Sequence, residues 1–195
     1  MKRIILASAS PRRKELLEKI GLKFEIIPSN YDEKLTDDSF TYEKIETLAL
    51  NKGLDIVKDI KDNAIIISAD TVVVLDNKIL GKPHTKEEAF AMISALSGKT
   101  HEVITAIAML DTENNKQLIH SVTTKVTFRK ISKDEIERYV STKEPYDKAG
   151  AYAAQGIAAI FVEKIEGCFN NVVGISSFEV NKMLNELDYH INIEN

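Results

Sequence analysis

The sequence predicts an α/β protein built on a mixed sheet with flanking helices, and two observations carry that prediction. Strand-length apolar runs alternate with segments whose apolar residues recur every three to four positions and that open on Ser or Thr. Hairpin-like strand pairs are interspersed with crossover helices, so parallel and antiparallel pairing should coexist in one sheet.

Residues 3–7 read as a buried strand, and Ser10 before Pro11 reads as an N-cap with proline in the first helical turn. Leu16, Leu17 and Ile20 give that helix its inner face, and Gly21 ends it. A strand at 24–27 leads into a long polar loop, 28–38, which carries Glu33; loops of such length are commonly functional. A helix over 42–60 sets Ile45, Leu48, Ala49, Ile56 and Val57 on one stripe, and Lys52 falls inside that stripe. Residues 64–68 form a buried strand ending at Ala69-Asp70-Thr71. A hairpin then runs through 72–75 and 78–80 with Asp76-Asn77 at its turn, until Gly81-Lys82-Pro83 stops it.

Thr85 with Glu88 makes a capping box for a helix carrying Ala89, Met92, Ile93 and Leu96. The runs 102–110 and 118–128 flank a polar turn and should pair antiparallel. Ser132 with Glu135 caps the next helix, through Ile136, Tyr139 and Val140. The segment 147–156 is polar yet rich in small residues, which permit close backbone approach. Residues 157–165 return to strand, 167–170 turn, and Ser176 with Glu179 caps a last helix.

At 195 residues, 44% hydrophobic and 29% charged, the chain can bury one substantial core, which excludes wholesale disorder. With 26 Lys plus Arg against 30 Asp plus Glu, the net charge of -4 offers no global attraction to nucleic acid or anionic lipid, so any anion site must be local. No apolar run approaches the ~20 residues of a membrane span, and Pro11-Arg12-Arg13 comes too early for a signal peptide. A soluble, cytoplasmic chain, with no nucleic-acid or membrane partner, is expected. Cys168 has no internal partner, and His84, His101, His120 and His190 lack zinc-ligand spacing. Without linkers or repeats, residues 1–195 read as a single domain.

Arg12 and Arg13 occupy a first helical turn, where the macrodipole disfavours cations by ~0.3–1 kcal/mol each. With Ser8 and the free amides after Ser10 they could converge on a phosphate, or they could point outward from a solvated turn. Asp70 stands between two apolar runs, as a ligand-binding carboxylate at a strand end or as a turn aspartate satisfied by local amides. The hairpin should return Lys82 close to it. Lys52, taken alone, can lay its stem along the apolar stripe and snorkel to water. Asp147 and Lys148 fit either a site or a surface ion pair. Neither a Rossmann fingerprint nor a Walker P-loop is present, so phosphate would have to be held by cationic side chains and a helix end.

The blocks from Leu6 through Ala7-Ser8-Ala9-Ser10-Pro11 to Arg12-Arg13, then Ala69-Asp70-Thr71, Gly81-Lys82-Pro83, Glu144-Pro145-Tyr146-Asp147-Lys148-Ala149-Gly150-Ala151-Tyr152 and Asn171-Val172-Val173-Gly174, resemble the Maf family of nucleoside triphosphate pyrophosphatases. The resemblance runs in order over nearly the whole chain. It implies an elongated, two-lobed domain with a central cleft, like the inosine triphosphate pyrophosphatases, and hydrolysis of nucleoside triphosphate to monophosphate and pyrophosphate.

By the same resemblance, Asp70 matches the proton acceptor and Glu33 the second acidic partner, both candidate ligands of Mg2+ or of another divalent cation such as Mn2+. Ser8, Arg13, Lys52, Lys82 and Lys148 match phosphate-contacting positions, with Asp147 beside them as a further substrate-binding candidate. Arg12, Thr71 and Gln155 match the branch acting on dTTP and UTP rather than the branch preferring 7-methyl-GTP. Ala153-Ala154 and Ile175-Ser176 depart from the usual pattern. A homodimer and a nucleotide-pool housekeeping role are the further implications. The rival is a non-catalytic nucleotide-binding regulator of septum formation or growth arrest, which could dispense with Asp70; this chain keeps it.

Overall fold

In the computed structural model, which describes residues 2–31 and 37–192, the β-branched runs at 3–6 and 64–75 lie side by side. Strand β1 (Arg3–Leu6) pairs in parallel with β3 (Ala64–Leu75), and β2 (Glu25–Ile26) adds in parallel to the other side of β1. Strand β4 (Lys78–Leu80) folds back on β3 through Asp76 and Asn77, both left-handed with φ of 50° and 63°, as a two-residue hairpin turn requires. Strands β5 (Thr100–Asp111), β6 (Lys116–Phe128) and β7 (Val162–Glu166) extend the sheet antiparallel. The order is β2-β1-β3-β5-β6-β7, with β4 on β3, so the predicted mixed sheet is present.

Helices cover both faces, and strand alternation dictates what each covers. On one face of β3, Ile66, Val72 and Val74 pack with Ile45, Ala49 and Ile56 of α2 (Tyr42–Val57) in one continuous cluster. The other face carries two clusters. Ile65, Ile67 and Ala69 meet Leu16 and Leu17 of α1 (Pro11–Lys19) and Val180, Met183 and Leu184 of α6 (Ser177–Glu186). Val73 and Leu75 instead meet Ile93 and Leu96 of α3 (Lys86–Leu96) and Ile136 and Tyr139 of α4 (Lys133–Val140). Between the two clusters stands a polar seam: Thr71 faces Thr105 across the β3–β5 ladder with their hydroxyls 2.9 Å apart. The two clusters on this face therefore separate at Thr71.

The caps follow the sequence with small adjustments. Ser10, Thr85, Ser132 and Ser176 each accept from the amide three residues on, and Ser132 with Glu135 forms a full reciprocal box. Glu88 reaches the amide of His84, one residue before the cap, so the Thr85 box is only half formed. The α2 helix stops at Val57, short of residue 60.

Two predictions are corrected. The span 157–165 is not one strand: Ile157–Phe161 is a 3-10 helix, and only Val162–Glu166 is strand. Ala158 and Phe161 are buried while Ile157 and Ile160 are exposed, a burial period of three that a 3-10 helix satisfies and a strand cannot. The expected turn at 167–170 runs into a short helix, α5 (Phe169–Val173), too brief to leave a periodic signal. Among the described residues, no helix is long and apolar enough to cross a membrane.

Candidate active site

On the edge of β3 away from β5, β1 pairs as far as Ile67, and β4 pairs only from Val73 onward, its last residue Leu80 opposite Val73. Among the described residues, no strand covers 68–72 on that edge. An interruption of this kind in an α/β sheet leaves a crevice in which ligands bind. A cavity of about 480 Å³ occupies it, within the range of small-molecule sites. Asp70 lies in the interrupted stretch. Its own strand continues to Leu75, so the expected strand end is corrected: the neighbour ends there and Asp70 is mid-strand, opposite Ala106.

Alternation turns Asp70 toward α2, whose Lys52 Nζ approaches its Oδ1 at 2.5 Å. Gly53 makes that approach possible. A Cβ there would stand 2.3 Å from Leu110 Cδ1 and 2.8 Å from Ser68 Oγ, and Ser68 Oγ itself donates to the Ala49 carbonyl at 2.6 Å. The helix is thus pressed onto the sheet beside Lys52. The lysine against the carboxylate is this one; Lys82 lines the same cavity but makes no ion pair among the described residues.

Arg13 braces the strand around Asp70. Its guanidinium donates to the Ala69 carbonyl at 2.8 Å and to Thr71 Oγ1 at 2.9 Å, the residues on either side, and to Gly174 O and Ser8 Oγ at 3.0 and 3.3 Å. The first-turn position disfavoured by the macrodipole is compensated by these acceptors. Thr71, a specificity candidate, has its hydroxyl engaged with Arg13, Thr105 and Gly174.

The opposite wall comes from residues 147–155. It is built on the 3-10 turns Glu144–Asp147 and Ala149–Ala151, with left-handed φ of 67° at Gly150 and 62° at Ala151. Gly150 N donates to Gly81 O at 3.0 Å, and a Cβ on Gly150 would meet Val73 at 2.9 Å. That close crossing sets Lys148 and Lys82 on one cavity. Asp147 pairs with Lys148 at 2.5 Å. Burial pushes the Asp147 carboxyl up, but the Lys148 hydrogen bond and charge, with Arg12 nearby, hold it below its ordinary value.

Arg12, Ser8 and Gln155 also line the cavity, and Glu33 lies outside the described residues. The cavity's apolar lining includes Val73 and Val103, which the sequence did not single out, beside Tyr152 and Val172 of the family blocks. Valines inside apolar runs give no signal. Thr105 did: it is a polar residue within the apolar run 103–110, and it is fully buried. The hydroxyl of Tyr152, itself a lining residue, is hydrogen-bonded to the buried His101 Nε2 at 2.7 Å.

A strand-borne carboxylate among cations, in a crevice that valines also line, defines a cleft suited to a phosphorylated molecule with a less polar body. The chain belongs to the Maf-like protein family, whose model matches residues 3–187. It is 49% identical to a dTTP/UTP pyrophosphatase of Clostridium botulinum, over 94% of this chain and 98% of that one. It is 48% identical to a dTTP/UTP pyrophosphatase of Alkaliphilus metalliredigens, over 99% and 100%, and 44% identical to one of Caldicellulosiruptor bescii, over 98% of each. Among solved structures, a nucleoside-triphosphatase / dITP/XTP pyrophosphatase from Mycobacterium abscessus aligns with a TM-score of 0.44 and 16% identity, over 66% of this chain and 75% of that one.

Proposed function

We propose that this chain hydrolyses nucleoside triphosphates, dTTP and UTP foremost, to the nucleoside monophosphate and pyrophosphate. The observation that carries the reading is the cavity wall itself, where Asp70 stands with Arg12, Lys52, Lys82 and Lys148. Full-length relatives at 44–49% identity named for this activity support it. Water attacks the α-phosphorus in line, the bond to the α–β bridging oxygen breaks, and pyrophosphate leaves with that oxygen. Asp70 takes the proton of the attacking water, with Lys52 fixing the carboxylate's direction. Lys82 and Lys148 neutralise charge on the departing phosphates.

Among the described residues, no three His, Cys, Asp or Glu side chains group to hold a metal ion. Magnesium asks for less, since it binds through one or two carboxylates plus the substrate's phosphates, and Asp70 on the cavity wall fits that demand. Asp70, with Glu33 as the second carboxylate of this proposal, would hold Mg2+ or Mn2+. When bound, the ion supplies charge neutralisation on the phosphates.

Uracil and thymine present an acceptor–donor–acceptor edge that the Gln155 amide can pair with, whereas cytosine replaces one acceptor by an amino donor. Mispairing costs ~1–3 kcal/mol per buried group, so CTP should lose at least ~10-fold in kcat/KM. Pyrophosphate release from dTTP, UTP, CTP, GTP and 7-methyl-GTP, with Mg2+ and after EDTA treatment and dialysis, tests the whole reading. Preference for a purine removes the pyrimidine assignment, activity that survives metal removal removes the cation, and no release from any nucleotide removes the reaction.

A further inference from the structure

Gln155 sits in a short arch. Gly156 N donates to Ala153 O at 3.1 Å, which closes the turn, and Ala153, Ala154 and Gln155 all face the cavity. Upstream, the arch is tied down by Tyr152 through its buried hydroxyl and His101. Downstream, the tie is one carboxylate: Glu144 accepts from the amides of Ile157 at 2.6 Å and Ala158 at 3.0 Å. The hydroxyl of Tyr139, on α4, divides its single hydrogen between the same carboxylate, at 3.1 Å, and Ala151 O, at 2.9 Å. Gly156 leaves room for this carboxylate, since a Cβ there would stand 2.2 Å from Glu144 Oε2.

Two successive backbone amides converging on one carboxylate, with a phenol beside them, make a stiff joint, because both amide bonds are charge-assisted. Without that acceptor, the first amides of the Ile157–Phe161 helix lack a partner and the arch loses its downstream anchor. The Glu144 side chain does not line the cavity; only its main-chain carbonyl reaches a lining residue, accepting from Lys148 Nζ at 3.2 Å. We propose that Glu144 is a positioning residue for base selection, holding the 153–156 arch so that the Gln155 amide meets the pyrimidine edge. The inference rests on the pyrimidine reading above and adds to it the residue that enforces the preference.

Glu144→Gln is the informative change. It is nearly isosteric, but its amide group has one acceptor oxygen where the carboxylate has two, and its NH2 would face a backbone N–H. The kcat/KM values for UTP and CTP are measured for wild type, Glu144→Gln, Gln155→Ala and the double variant. The UTP-over-CTP ratio should narrow at least ~3-fold in Glu144→Gln, through KM, with kcat on UTP within ~3-fold of wild type. In the Gln155→Ala background, the same change should leave the ratio where Gln155→Ala put it, because the two residues act as one unit. Should Glu144→Gln fail to fold, Gly156→Ala, which displaces the carboxylate, must give the same narrowing.

A folded Glu144→Gln with an unchanged ratio, equal losses on both nucleotides, or additive effects with Gln155→Ala would overturn the inference. A wild-type protein that prefers UTP while its Glu144 variant does so equally defeats this proposal alone. A wild type that releases no pyrophosphate defeats the functional reading beneath it.

Discussion

Lys52 Nζ stands 2.5 Å from Asp70 Oδ1, an ion pair between a helix and a strand in which each side chain is about nine-tenths enclosed, at 12% and 9% exposure. Enclosed pairs of this kind are poor sources of stability, since desolvation offsets most of the attraction. Their retention on a cavity wall points to chemistry.

Asp70→Asn should therefore keep a native circular dichroism spectrum while pyrophosphate release falls by at least ~10²-fold, the scale of a lost general base. Near-normal turnover in folded Asp70→Asn would take Asp70 out of the reaction.

Gly53→Ala sets two effects of opposite sign against each other. In an exposed helix the change would stabilise by about 1 kcal/mol. Here the new methyl group would stand 2.3 Å from Leu110 Cδ1 and 2.8 Å from Ser68 Oγ. Overpacking typically costs ~1–3 kcal/mol, and for a chain of this size each kcal/mol lowers Tm by about 2–4 °C. A thermal melt several degrees below wild type is expected, with reduced activity as Lys52 is moved off Asp70. A higher Tm would mean that α2 does not pack this closely.

His101 provides the pH dependence. It is 2% exposed, and burial pushes its imidazole pKa down to about 4 from an ordinary 6.5. Between those values the unfolded chain binds a proton that the folded one does not, so stability declines as pH falls from about 6.5 toward 4. The gap of about 2.5 units corresponds to a loss on the order of 3 kcal/mol once both limits are passed. His101→Gln cannot take up that proton. Urea melts between pH 7 and 4.5 should show a shallower decline for the variant than for wild type; parallel declines would show that His101 is not the group responsible.

Much of the secondary structure was legible because it is local. A serine or threonine accepts from an amide three residues on whatever surrounds it, so the starts of α1, α3, α4 and α6 could be read directly. The hairpin at Asp76-Asn77 was legible for the same reason. The 3-10 helix at Ile157–Phe161 was not, because an apolar run of five residues shows its period only when something covers one side of it.

The site divides along the same line. The sequence by itself determined which residue types are available: a carboxylate between two apolar runs, two arginines in a first helical turn, a lysine within an apolar stripe and a small-residue segment near Asp147. Only the tertiary structure decided their pairing. Lys52 rather than Lys82 meets Asp70 because Gly53 lets α2 press onto the sheet, and Arg13 turns inward because Ala69, Thr71 and Gly174 offer it acceptors from distant parts of the chain. The crevice itself depends on where β1 stops and β4 starts along β3. That is a matter of register between strands, which no residue encodes alone because it arises from packing several segments against one another.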